Sequence, residues 1–243
     1  MAPLRGGLEI LHEDEHLLGV VKPAGIPTAH AAAGGDSLYA RARATRPFVG
    51  VVSRLDLPVS GVVVFAKTSA AAAALAEQFR ERTVTKEYSA VVEGRFPAPL
   101  GQWVEWIDRL PAVPAAAPRG RGRPPAEPDA DGDADPGEPG TSREPGTLAR
   151  MRARVVRRAG EVSLVELSPE TGRKHQLRIQ LASRGCPIVG DRRYGARLPF
   201  PEGIALHARR LAFSHPATGR PVALEVPLPA SWRKRFPPLL PAG

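Results

Sequence analysis

Residues 53–68 read SRLDLPVSGVVVFAKT, a run in which two charges, Arg54 and Asp56, immediately precede an apolar stretch. Gly61 to Ala66 is rich in Val and Phe and predicts a buried strand, and Val49 to Val52 predicts a second one upstream. The polar segment Ser53 to Pro58 is therefore a loop held at both ends. If it stays extended, Arg54 and Asp56 project to the same side, because alternate residues of an extended chain share a face. Taken alone, an Arg-x-Asp of this kind reads more simply as a structural ion pair or a turn aspartate. A chemical role needs support from the rest of the chain.

Upstream, Leu8 to Ile10 and Leu17 to Val21 predict short strands flanking the polar turn His12 to His16. Asp36 or Ser37 is placed to cap a short helix carrying Leu38, Tyr39 and Ala42. Downstream, Thr68 or Ser69 opens a helix with Leu75 and Phe79 one turn apart, fraying near Arg82, and Thr85 to Val92 alternates as a strand. Further on, Arg152 to Val156 and Val162 to Leu167 predict a strand pair, followed by a helix from about Lys174 with Leu177, Leu181 and Ala182 on one face and Gly185 as its terminator. Ala205 to Phe213 and Val222 to Val226 add strands, and a last helical turn lies around Trp232. Strands outnumber helices without regular alternation, so the expected fold is α+β with a mixed, mainly antiparallel sheet and flanking helices.

One stretch departs from this pattern. From about Pro114 to Thr147, Pro, Gly, Ala, Asp and Arg dominate without a large apolar side chain, so the segment cannot bury enough surface to offset its ordering entropy. It is expected to be a disordered insert in a single domain spanning 1–243. Its four arginines face seven carboxylates, a net −3, which leaves the rest of a +9 chain at +12. A folded part that basic attracts polyanions and favours nucleic acid as a partner, although ribosomal proteins and merely basic enzymes look the same at this level. At 243 residues with 42% hydrophobic content, the chain can bury a substantial core. Cys186 is the sole cysteine, which excludes an intramolecular disulfide and a thiolate-rich zinc site and fits a reducing cytoplasm. Its Cys-Pro-Ile-Val setting predicts buried packing. No apolar run reaches the length of a membrane span. The six histidines, His12, His16, His30, His175, His207 and His215, show no tight metal-ligand spacing.

A second cluster, ETGRKHQLR at 170–178, sets a Gly turn and several donors at a predicted helix start. Backbone N–H groups there, with Arg173 and Lys174, suit a phosphate, and on a helix Lys174 and Arg178 are i, i+4 neighbours. A solvated basic helix end would show the same pattern.

The residues 53–68 resemble the signature of the RluA-type RNA pseudouridine synthases, usually HRLD followed by a Ser-Gly pair and an apolar strand ending in Ala-Lys. Three further blocks are similar to that family in the right order: EDEHLLGVVKPAGIPTAH at 13–30, TKEYSAVVEG at 85–94 and SPETGRKHQLRIQLASRGCPIVGDRRYG at 168–195. The resemblance spans about Leu8 to Phe213 apart from the insert. It implies a pseudouridine synthase fold with a central RNA-binding cleft, and an isomerase that converts a uridine of structured transfer or ribosomal RNA to pseudouridine without metal or cofactor. It places Asp56 at the catalytic aspartate, Tyr88 at the active-site tyrosine and Arg178 at the active-site arginine. Arg54, Lys22, Lys86, Arg173 and Lys174 become candidate RNA contacts. Asp191 and Glu170 flank the cationic cluster but match no catalytic position of the family.

Three departures bear on RNA selectivity and loop geometry: Ser53 stands for the usual histidine, Val59 for the usual threonine, and Leu57-Pro58 for a more polar pair. The first matching block begins almost at residue 8, so no S4-like module is expected before it, and the resemblance favours a monomer without membrane or obligate protein partner. A different class stays open at this level: a catalytically silent RNA-binding or RNA-folding protein on the same fold. A small-molecule hydrolase using Asp56 is disfavoured by the basic charge and by the lack of a partner carboxylate.

Overall fold

The computed structural model describes residues 4–5, 7–29, 35–110 and 147–240. Nearly all of the expected insert lies outside the described residues, as does His30. Among the described residues one sheet holds β1 (Leu4–Arg5), β2 (Leu8–Glu13), β3 (Leu17–Lys22), β4 (Gly50–Val51), β5 (Ser60–Ala66), β6 (Thr85–Glu93), β7 (Trp103–Leu110), β8 (Thr147–Ala159), β9 (Val162–Pro169), β10 (Leu206–Ser214) and β11 (Pro221–Glu225). Helices α1 (Leu38–Arg43), α2 (Ser69–Glu81), α3 (Gln176–Ala182) and α4 (Ala230–Arg235) flank it. The strand order is β1-β2-β3-β5-β10-β6-β9-β8-β7, with β4 also on β5 and β11 also on β10. Among the described strands only β5 and β10 pair in parallel, so the expected mixed, mainly antiparallel α+β architecture is what forms.

The parallel junction fixes the site. Strand β10 meets β5 at His207 and Ala208 alone. From Arg210 onward β11 takes the place of β5 beside it. The two halves of the sheet are thus joined at one short seam, and Leu206 and Ala208 beside it line a pocket. The seam depends on Gly61: its φ is +131°, and a Cβ there would sit 2.3 Å from the Ala208 carbonyl oxygen. No side chain is compatible with that approach.

Local chemistry explains the helix ends. The Ser37 hydroxyl accepts from the Ala40 N–H and starts α1, and the Thr68 hydroxyl accepts from the Ala71 N–H and starts α2, each satisfying an otherwise orphaned donor. Helix α2 ends at Arg82, a left-handed residue with φ 60°. Helix α3 starts at Gln176 rather than near Lys174, because His175 adopts φ 55° and breaks helical geometry. The expected i, i+4 pairing of Lys174 with Arg178 is therefore wrong: Lys174 lies exposed outside the helix while Arg178 is buried.

Strand β7 was not foreseen, and its composition explains why. Its outward face carries Trp103, Glu105 and Ile107, while its inward positions include Asp108 beside Trp106 and Leu110, so apolar and charged residues appear on both faces and the alternation is blurred. Inward Asp108 is satisfied by Gln180, at 2.6 Å, and by Arg184. Strand β8 begins at Thr147, paired with Leu110, so Thr147 belongs to the sheet and not to the insert. Cys186 is buried in the core, as its setting predicts.

Candidate active site

The loop 53–59 enters the pocket as a segment pinned at nearly every residue. The Ser53 hydroxyl contacts both the N–H and the carbonyl of Val64 at 3.3 Å. Thr28 Oγ1 donates to the Leu55 carbonyl at 3.0 Å and accepts from the Leu55 N–H at 3.1 Å. The Val59 N–H closes a turn on the Asp56 carbonyl. Leu55 and Val59 are buried in the core while Arg54 and Asp56 are partly exposed, which is the alternation expected of an extended loop. Here Ser53 works as a clamp on β5, so the departure from histidine leaves the loop anchored.

Lys22 is the correction among the candidate RNA contacts. It is fully buried, and its ammonium donates to the carbonyls of Pro23, Leu57 and Val59 at 3.2, 3.0 and 2.7 Å. A cation enclosed by three carbonyls has no surface left for a phosphate. Nothing in the sequence reports that the end of β3 runs beneath the loop, which is why Lys22 counts there among the candidate RNA contacts. Lys22 instead ties down Leu57 and Val59, on the C-terminal side of Asp56.

The other candidates gather around one pocket. Ser53, Arg54, Asp56, Lys86, Tyr88, Thr171, Arg173, Lys174, His175 and Arg178 line it, with Phe79, Leu206, Ala208 and Leu211 as its apolar wall. Tyr88 comes from β6, where it sits opposite Ala208 of β10 and Leu167 of β9, close to the seam. Arg54, Lys86, Arg173 and Lys174 place four cations on the lining.

Arg178 Nη1 donates to Asp56 Oδ2 at 3.2 Å. Its Nε and Nη2 donate to Asp191 Oδ2 and Oδ1 at 2.8 and 2.9 Å, a two-pronged contact with a carboxylate that is 1% exposed. Burial alone would lower the Arg178 pKa, but the Asp191 hydrogen bonds and the charges of Asp56 and Asp191 outweigh it and hold the guanidinium above its ordinary range. Arg178 is a permanent cation here. The Tyr194 ring lies 5.0 Å from the Arg178 Cζ. Its hydroxyl is 2.8 Å from His175 Nδ1, and burial raises the Tyr194 pKa. His175 Nε2 in turn stands 3.7 Å from Asp56 Oδ2. Asp191, Tyr194 and His175 were not among the residues assigned to the site. The signal available was the Gly-Asp-x-x-Tyr-Gly run at 190–195, whose spacing says nothing of which way its side chains turn.

The pocket thus sets a carboxylate beside a permanent guanidinium, together with a tyrosine and several cations whose charge suits an anionic ligand. Residues 16–183 match the family described as RNA pseudouridylate synthase. The dual-specificity RNA pseudouridine synthase RluA of Salmonella typhimurium is 35% identical over 230 residues, 93% of this chain and 95% of that one. The enzyme of the same name from Vibrio vulnificus is 36% identical, covering 86% of this chain and 78% of its own. The ribosomal large subunit pseudouridine synthase D of Xanthomonas campestris is 34% identical over 94% of this chain and 68% of its own length. Among solved structures, human RNA pseudouridylate synthase domain containing 1 superposes with a TM-score of 0.68 at 25% identity, covering 93% of this chain and 86% of that one. The chain belongs to the RNA pseudouridylate synthase family. It is an isomerase that converts uridine in RNA to pseudouridine.

Proposed function

We propose that Asp56 is the carboxylate that carries the isomerisation, with Tyr88 and Arg178 as its partners in the pocket. The 3.2 Å contact between Arg178 and Asp56 inside a pocket that also holds Tyr88 is the observation that carries this reading. In the reaction the bond between C1′ and N1 breaks, the uracil turns while held, and C1′ bonds to C5. The proton leaves C5 and one is carried on N1, so atoms balance without oxidant or external energy. Asp56 assists as nucleophile at the sugar or base, or as the group that promotes cleavage. Arg178 keeps it a carboxylate through a charge-assisted contact. Tyr88 offers its ring to the flipped base, offsetting part of the unstacking cost of a few kcal/mol.

Arg54, Lys86, Arg173 and Lys174 meet the RNA backbone at the pocket mouth, where their charge suits phosphate. The substrate is a structured transfer or ribosomal RNA; one relative is named for the ribosomal large subunit and two for dual specificity toward RNA. The protein works in the cytoplasm as a monomer. No described helix is long and apolar enough to cross a membrane.

Asp56→Asn tests the reading, since it removes the charge and the nucleophilic oxygen at nearly constant volume. Single-turnover conversion on an RNA that the wild-type protein modifies should be abolished, with circular dichroism and RNA affinity retained. Conversion near the wild-type rate by a folded, RNA-binding variant would leave Asp56 as a structural ion-pair residue.

A further inference from the structure

Asp191 does not line the pocket, yet it makes the shortest and most complete contact that Arg178 has. We propose that Asp191 is a positioning residue for the isomerisation: it holds the Arg178 guanidinium in the orientation that presents Nη1 to Asp56. The inference rests on Asp56 being the acting carboxylate.

The geometry of the fork carries it. A guanidinium is planar, and a carboxylate that engages both Nε and Nη2 along one edge fixes the plane and its rotation about the side-chain axis. Both Asp191 oxygens are used in this way, at 2.8 and 2.9 Å. Only Nη1 is left to reach toward Asp56, and its contact is longer, 3.2 Å, to a carboxylate that is 27% exposed. A single contact of that length to a group open to solvent does not by itself fix a long side chain. The Tyr194 ring covers the guanidinium face at 5.0 Å, and the link from its hydroxyl to His175 closes a ring that returns to Asp56.

Asp191 is itself immobile. Its N–H donates to the Ile188 carbonyl, and its carbonyl accepts from the N–H groups of Tyr194 and Ala196 at 3.0 and 3.1 Å. The preceding Gly190 has φ +90°, and a Cβ there would lie 2.6 Å from the Gly203 carbonyl oxygen. Rigid backbone thus sets Asp191, Asp191 sets Arg178, and Arg178 meets Asp56. Misplacing a reacting group by about 1 Å costs on the order of 100-fold in rate, so the anchor governs the chemical step while RNA affinity comes from elsewhere.

Asp191→Asn and Asp191→Glu are compared with wild type and Asp56→Asn. The readouts are single-turnover conversion, RNA affinity and the side-chain ¹⁵N–¹H signals of Arg178, using a transfer or ribosomal RNA transcript that the wild-type protein converts. For Asp191→Asn the rate constant should fall at least about tenfold while affinity stays within about threefold. Asp191→Glu keeps the charge and should recover part of the rate. In the wild-type protein the Arg178 Nη signals should be resolved, because rotation about Cζ–Nε is blocked. A folded Asp191→Asn with wild-type turnover, or a loss divided equally between rate and affinity, would overturn the proposal. So would averaged Nη signals in the wild-type protein, which decide the matter even if Asp191→Asn fails to fold. If Asp56→Asn stays active, the reading of Asp56 fails; if it is inactive while Asp191→Asn turns over normally, only the role of Asp191 fails.

Discussion

The Lys22 ammonium donates to the Val59 carbonyl at 2.7 Å from a position with no solvent exposure, joining the end of β3 to the far end of the loop that presents Asp56. Buried charges persist only where hydrogen bonds replace their hydration, and three carbonyls do so here. The chain therefore uses one of its cations as a brace inside the protein.

Lys22→Met is expected to lower stability by about 3 kcal/mol, since it takes the ammonium away from the Pro23 and Val59 carbonyls and leaves the Leu57 carbonyl with the Gly25 N–H. Thermal or denaturant unfolding measures it. The salt dependence of RNA binding should keep its wild-type slope, because a residue that meets no phosphate releases no counterion. A shallower slope with normal stability would return Lys22 to the RNA surface.

Arg178→Lys keeps the charge and loses the fork. Lysine cannot serve both Asp191 oxygens and Asp56, so turnover is expected to fall about 100-fold or more. The buried Asp191 would also be left poorly compensated, adding a loss of up to about 3 kcal/mol in stability. Single-turnover kinetics run well below the melting temperature separate the two effects. Activity close to wild type would remove Arg178 from the site.

His207 predicts an acid-side loss of stability. Burial pushes its imidazole down to about 4 from an ordinary 6.5, so between these values the unfolded chain takes up a proton that the folded protein refuses. Stability from this group is complete above pH 6.5 and declines as pH falls to about 4, by up to about 3 kcal/mol. Glu13, held down to about 2 mainly by its hydrogen bond to Arg46, contributes to acid loss only below its ordinary range near 4.5. Denaturant unfolding at pH 7 and pH 4.5 should show a smaller difference for His207→Gln than for wild type. An unchanged difference would place the titrating group elsewhere.

Residues 114–146 should be removable. Leu110 and Thr147 are directly paired, so a short Gly-containing turn can close β7 onto β8, and turns of two to five residues commonly do so. With such a replacement the melting temperature is expected to change by no more than a few degrees. A large drop would mean that the segment supplies packing that its composition does not suggest.

Strands β3, β5, β6, β9, β10 and β11 were legible to within a residue or two at most ends because each buries at least one apolar face. Helix caps were legible because Ser37 and Thr68 act locally. Strand β7 was not, since Ile107 faces outward and Asp108 inward. Asp56 stood out by its contrast with the apolar strands around it. Lys22 and Asp191 did not, because a charge that is buried and a charge that is solvated are the same letter. Their meaning comes from partners 37 and 13 residues away, Val59 and Arg178, and no local pattern reports a pairing of that kind.

The seam at Gly61 and Ala208 also bears on the order in which the sheet can be completed during synthesis. Strand β10 lies between β5 and β6 in the sheet although more than a hundred residues of chain separate it from either. Until residues 206–214 have left the ribosome, β5 and β6 have no common neighbour and each presents an open edge, a condition that invites pairing with other chains. Asp56 is made early, yet its arginine arrives 122 residues later. A product that ends before β10 lacks the strand that joins β5 to β6 and leaves their edges exposed, with the Asp56 loop and Tyr88 no longer held in one sheet.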